Sequence, residues 1–201
     1  MRITADSMFN FSTCQMCTAP FKYFIAGEAF SRSVSLLLLD WLESHAPWKL
    51  VITDFYEQYE CNFLDVRLPA HLFFLQEQAF LDDVKERMEE VFQVSLSPRV
   101  DQSAHKLIPG QRIRLHNDFI PGQETHRLLI QLNRSWTDEK GGLLIFFNSS
   151  NPADVHRLFL PVHNRVVGFA ISPDSHHAVS TVHSGERFTL VYSFYKRIDH
   201  A

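Results

Sequence analysis

Several things are scarce in this 201-residue sequence, and each scarcity excludes something. Cysteine is one: Cys14, Cys17 and Cys61 are too few, and odd in number, for a disulfide framework. Cys14-x-x-Cys17 is half of a zinc knuckle with no second pair, so the thiols read as bystanders in a reducing compartment. Positive charge is not in excess either. With 19 Lys and Arg against 23 Asp and Glu, the net charge of −4 gives no global case for nucleic acid or an anionic membrane as partner. Apolar runs such as Leu36–Leu39 are far too short to span a bilayer, and the opening MRITADSMFNFSTC lacks the apolar centre of a secretory leader. A cytoplasmic protein is expected. Repeats, low-complexity tracts and linkers are absent, which suggests one domain over residues 1–201 and says nothing of oligomeric state.

Glycine is both scarce and uneven. Of seven, only Gly27 precedes residue 110, whereas nine of the eleven histidines lie from His105 onward. The two halves of the chain therefore differ in kind. Residues 1–20 read as poorly structured and flexible, and 21–104 as supporting helix and strand. Residues 105–197 read as a β-rich core.

In the first half, Phe21–Ile25 has strand character. Ser31 or Ser33 can cap a helix running to about Ser44, with Val34, Leu37, Leu38, Trp41 and Leu42 on one face and Pro47 beyond its end. Leu50–Thr53 and Cys61–Val66 read as short strands, with Phe55–Glu60 between them. Leu81, Val84, Met88 and Val91 recur at helical spacing over residues 78–92, which makes a second amphipathic cover for a sheet. In the second half, Pro109-Gly110, Pro121-Gly122, Gly141-Gly142, Asn151-Pro152 and Ser184-Gly185 punctuate short apolar segments. Strands are expected at 112–116, 127–132, 143–147, 165–171 and 187–195. Many short strands with regular turns indicate a sandwich or barrel.

The segment KLIPGQRIRLHND, residues 106–118, ends in His116-Asn117-Asp118. On a strand, His116 and Asp118 would share a face about 7 Å apart, enough to grip one side of a metal ion. The third ligand comes from His177 or its neighbour His176. His177 is preferred because a turn at Ser184-Gly185 would return the chain with Arg187 and Thr189 on one face, a guanidinium and a hydroxyl suited to a carboxylate. Two histidines, one carboxylate and open coordination positions form the pattern of a non-haem iron site. Phe146, Phe147 and Phe169 are available as dry walls.

PGQRIRLHND, RLLIQLNRSW, GGLLIFF and HHAVSTVHSGERFTLVYSFY together resemble the Fe(II)/2-oxoglutarate-dependent oxygenases, particularly those similar to prolyl hydroxylases, over roughly residues 105–196. The resemblance implies a fold that is mainly β with flanking α-helices, a double-stranded β-helix (jelly roll, cupin-like). It implies Fe(II) on His116, Asp118 and His177, with 2-oxoglutarate and O2 as cosubstrates. Arg187, helped by Thr189, would hold the distal carboxylate of 2-oxoglutarate. Gln131 stands where relatives often carry a cosubstrate-contacting Tyr. Ile108 stands near another such Tyr, for which Lys106 or Arg114 could substitute. The retained carboxylate of Asp118 favours hydroxylation over halogenation.

The implied substrate is a residue in a peptide or protein, or alternatively a free or carrier-bound amino acid. Residues 48–69, with AHKLIPGQRIRLHND and IPGQETHRLLIQLN, resemble small bacterial oxygenases associated with cyclophane-containing ribosomal peptides. That narrower likeness implies a crosslinked precursor peptide. The 117–123 turn and the 148–163 insertion are the expected substrate-facing loops. A jelly-roll binding protein with a structural metal or none is the rival from outside the enzymes.

Overall fold

The computed structural model describes residues 14–197. Its strands are β1 (Gln15–Cys17), β2 (Tyr23–Glu28), β3 (Lys49–Ile52), β4 (Glu57–Asn62), β5 (Leu96–Leu107), β6 (Ile113–His116), β7 (His126–Gln131), β8 (Leu144–Phe147), β9 (Val155–Phe159), β10 (Arg165–Ala170), β11 (His177–Val179) and β12 (Arg187–Lys196). Two helices, α1 (Arg32–Ser44) and α2 (Gln78–Phe92), fall between the early strands. The strands form a major sheet ordered β1-β2-β10-β7-β12-β5-β4-β3 and a minor sheet ordered β6-β11-β8-β9. This is a double-stranded β-helix with helices on its outer side.

Each helix has a local cause. The Ser31 hydroxyl accepts from the Val34 amide, capping α1, and Val34, Leu38, Leu39, Trp41 and Leu42 are then buried at helical spacing. In α2 the buried residues are Phe80, Val84, Met88 and Phe92, so the seam runs one residue either side of the expected Leu81 and Val91. Gln93 ends α2 in the left-handed region at φ 55°.

The major sheet separates two environments. On β12, Phe188, Leu190, Tyr192 and Phe194 pack outward with both helices in one apolar core. Its alternate residues Arg187, Thr189, Val191 and Ser193 line a cavity between the sheets. A second apolar core, built on Tyr23, Phe146, Phe159, Phe169 and Val191, closes one end of that interior.

Two departures from the sequence expectation share one cause. β5 carries Asp101, Ser103 and His105 on its cavity face, and β4 carries Gln58 and Glu60 there, so neither shows apolar alternation. The expected strand at 61–66 consequently lies earlier, at 57–62, followed by a single 3-10 turn at Phe63–Asp65. β9 is an edge strand exposed along most of its length, and β11 has only three residues. Cys17 belongs to β1, which pairs with β2, so order begins before residue 20; the rest of the expected flexible stretch, residues 1–13, lies outside the described residues. The three thiols are unpaired. No helix among the described residues is long and apolar enough to cross a membrane.

Candidate metal centre and cosubstrate pocket

β6 and β11 pair antiparallel with His116 directly opposite His177, which brings the two imidazoles together at the end of the minor sheet. Strand alternation does not bring in Asp118, as the sequence suggested. β6 stops at His116, and Asp118 adopts φ 58°, a left-handed turn that folds its carboxylate back between the rings. Asn117 braces the turn: its amide donates to the Pro173 carbonyl, and its Oδ1 accepts from the Phe119 amide. One Asp118 oxygen lies 3.2 Å from His116 Nε2 and the other 3.2 Å from His177 Nε2. All three ligand atoms fall within 4.8 Å of one another. His176 is not in this group.

The tautomers are set by the backbone. His116 Nδ1 donates to the Arg114 carbonyl and His177 Nδ1 to the Ser175 carbonyl, each at 2.8 Å. A carbonyl can only accept, so both protons sit on Nδ1 and both Nε2 lone pairs point at the carboxylate. Three converging acceptors suit a bound cation, which is the fit a divalent metal requires. Burial would raise the Asp118 pKa, but the Arg127 guanidinium beside it holds the carboxyl far below the usual carboxylate range. Burial also lowers the His177 pKa against the pull of Asp118. The Phe55 ring lies 4.7 Å from His116, and Phe169 lies 4.9 Å from His177. Phe146 joins this wall, whereas Phe147, one residue on, is buried outside that core.

Arg187 opens β12 and is 3% exposed. Its Nε donates to the Gly142 carbonyl at 2.8 Å, and Nη1 donates to Thr189 Oγ1 at 2.7 Å. Gly142 must be glycine: its φ is 65°, and a Cβ there would stand 2.9 Å from Arg187 Cδ. Among the described residues no carboxylate pairs with this guanidinium, and burial lowers its pKa to about 10. An uncompensated buried cation on a cavity wall is costly unless a ligand supplies the anion.

Thr189 Oγ1 in turn donates to Gln131 Oε1 at 3.0 Å. Arg187 and Thr189 therefore face the cavity, while Gln131 stands behind Thr189 and does not line it. The other expected contributors lie elsewhere. Lys106 points away, pairing with Glu186 and lying over the Trp48 and Tyr59 rings. Arg114 is exposed and reaches the Asp54 carbonyl. The 148–163 segment forms the far edge of the minor sheet, away from the cavity; Asp118, in the 117–123 turn, does line it.

Sequence reasoning missed a group of polar residues in the cavity of about 330 Å³: Tyr56, Gln58, Glu60, His105, Glu124 and Arg127. Arg127 donates to Asp118 and to Glu124, each at 2.5 Å. Arg127 stands two residues before Leu129 on β7, and both face the cavity, a pairing that strand alternation signals once one inward residue is placed; the residues of β4 gave no such signal.

Residues 102–195 match the family model described as the 2OG-Fe(II) oxygenase superfamily. This stretch is similar to that superfamily. The likeness implies Fe(II), 2-oxoglutarate and O2 as cofactors, and the convergent donors and the buried guanidinium fit the first two. The chain is 27% identical over 175 residues to prolyl 3-hydroxylase OGFOD1 of Mus musculus, a match covering 85% of this chain and 30% of that protein. The chain thus spans under a third of that relative's length. Two solved structures share the fold. A Pseudomonas putida prolyl-4-hydroxylase superposes with a TM-score of 0.65 at 18% identity, covering 83% of this chain and 86% of the other. A Trichoplax adhaerens prolyl hydroxylase, solved with a hypoxia inducible factor peptide fragment, superposes at 0.70 with 14% identity, covering 87% and 83%.

Proposed function

We propose that this protein is an Fe(II)/2-oxoglutarate-dependent dioxygenase that hydroxylates an unactivated C–H bond of an amino-acid residue in a peptide or protein. The observation that carries the reading is Arg187, a buried guanidinium with no countercharge among the described residues, which lines the same cavity as His116, Asp118 and His177. His116, Asp118 and His177 hold the iron. Arg187 receives the distal carboxylate of 2-oxoglutarate, with Thr189 beside it and Gln131 orienting the Thr189 hydroxyl.

When bound, iron with 2-oxoglutarate and O2 supplies an oxidant strong enough to take hydrogen from such a bond. Oxygen ends in the hydroxylated product and in succinate, and CO2 is released. The protein's own residues do the positioning. Backbone carbonyls fix both imidazole tautomers, and Gly142 holds the Arg187 guanidinium against the wall. Phe55, Phe146 and Phe169 keep water from the ligand side.

The peptide reading rests on the named activities of the mouse and Trichoplax relatives and on an open polar chamber beside the ligands. The likeness to oxygenases of cyclophane-containing ribosomal peptides makes a crosslinked precursor one candidate. The test is aerobic incubation with Fe(II), 2-oxoglutarate and candidate peptides. Succinate released in step with a peptide mass gain of one oxygen upholds the reading. Binding of peptides with no succinate under any of them would leave a jelly-roll binding protein.

A further inference from the structure

Tyr56, Gln58 and Glu60 alternate along β4 and its entry, so all three present side chains to the same side, and all three line the cavity. They form one hydrogen-bonded unit. The Tyr56 hydroxyl donates to Glu60 Oε1 at 3.0 Å, and Gln58 Nε2 donates to the same oxygen at 2.8 Å. Both donors fall on one carboxylate oxygen, which leaves Oε2 for something else. Gln58 is 2% exposed, and its Oε1 has no hydrogen-bond partner among the described residues. The amide orientation is fixed by Glu60, which accepts only from the nitrogen side.

The other cavity carboxylates already have cations. Asp118 and Glu124 share Arg127, and Asp101 takes Arg99 and the Tyr195 hydroxyl. Glu60 forms no ion pair among the described residues. Lys49, its cross-strand neighbour on β3, is exposed and does not reach ion-pair distance. His105, opposite it on β5, is kept neutral by burial, with its pKa lowered to about 4. The chamber therefore holds one braced anion to which no cation is paired among the described residues, with the buried Gln58 Oε1 beside it left without a partner.

Resting on the function proposed above, we infer that the cavity recognises a basic substrate side chain, a lysine ammonium or an arginine guanidinium, through Glu60 Oε2. Proline within a peptide offers neither an N–H donor nor a charge and would leave the carboxylate desolvated without a partner. An ammonium or guanidinium supplies both. Tyr56 and Gln58 are positioning residues in this scheme: they hold Glu60 in place.

The test measures binding to the protein loaded with 2-oxoglutarate. The probes are fluorescent peptides identical except for a central Lys, Arg, norleucine or Pro, together with unlabelled free lysine and norleucine as competitors. The Lys or Arg peptide is expected to bind at least about tenfold tighter than the norleucine and Pro peptides. That preference should collapse to within about twofold in Glu60→Gln and survive in weaker form in Glu60→Asp, with unchanged melting of both variants showing that the fold is intact. Equal affinities, a preference that persists in Glu60→Gln, or no binding by any probe up to millimolar concentration overturns the inference. A preference shown only by free lysine upholds it and overturns the peptide reading of the function instead. Cation preference without succinate formation likewise leaves this inference standing while the oxygenase reading fails.

Discussion

The two faces of the major sheet follow different rules although the same strands build both. The outer face of β12 is four consecutive apolar positions, Phe188, Leu190, Tyr192 and Phe194, packed against the helices. The inner face of the same strand presents Arg187, Thr189 and Ser193 to the cavity. One face lowers the free energy of folding by removing apolar area from water. The other carries a buried guanidinium and hydroxyls that a merely stable protein would replace. Stability and function are thus divided by a period of two along one strand, and substitutions can separate them.

The largest effect should come from the metal centre. His116→Ala, Asp118→Ala or His177→Ala should abolish succinate formation while leaving far-ultraviolet circular dichroism unchanged, whereas His176→Ala should be milder. An active His177→Ala with a dead His176→Ala would mean that the ligand has been misassigned. On the outer face, Leu190→Ala should cost about 2–5 kcal/mol in urea unfolding, because a fully buried side chain leaves a cavity. Its 2-oxoglutarate affinity, measured on the folded protein, should stay within about twofold.

Arg187→Met sharpens the contrast, since it should move the two properties in opposite directions. Affinity for 2-oxoglutarate should fall roughly a hundredfold on loss of a buried charge-assisted pair. The melting temperature of the ligand-free protein should rise, because an uncompensated buried cation is removed. A fall in both would show that Arg187 is chiefly structural.

Acid should act on both faces. Burial lowers the pKa of His126, packed on Phe92, and of His105 to about 4 from the ordinary 6.5. Between those values the unfolded chain takes up protons that the folded chain refuses, so stability should be full above about pH 6.5 and decline as pH falls towards 4. Urea midpoints at pH 7 and pH 5 would show the decline, and His126→Gln should reduce it. Gln131→Leu should have the smallest effect, a few-fold rise in the KM for 2-oxoglutarate, because Gln131 acts only through Thr189.

The same division explains what could be read in the sequence. Elements whose buried face is apolar were legible: α1, α2, β7, β8, β10 and β12 all fall close to their expected places. β5 was not, because Asp101, Ser103 and His105 face the cavity and erase the alternation by which a strand is recognised. β4 was displaced for the same reason. At the candidate site, the convergence of His116, Asp118 and His177 and the placement of Arg187 on the same cavity were legible from residue type and order. The left-handed turn at Asp118, the placement of Gln131 behind Thr189 and the pairing of Arg127 with Asp118 depend on backbone conformation and on contacts between distant strands, which spacing along the chain does not encode.

The most direct test of the division is an anaerobic visible absorption titration of wild type and Arg187→Met with Fe(II), followed by 2-oxoglutarate. The account predicts a weak charge-transfer band in wild type that needs both components, and in Arg187→Met the same band only at far higher 2-oxoglutarate. No band in a folded, iron-loaded wild type, or identical titrations for the two proteins, would contradict it.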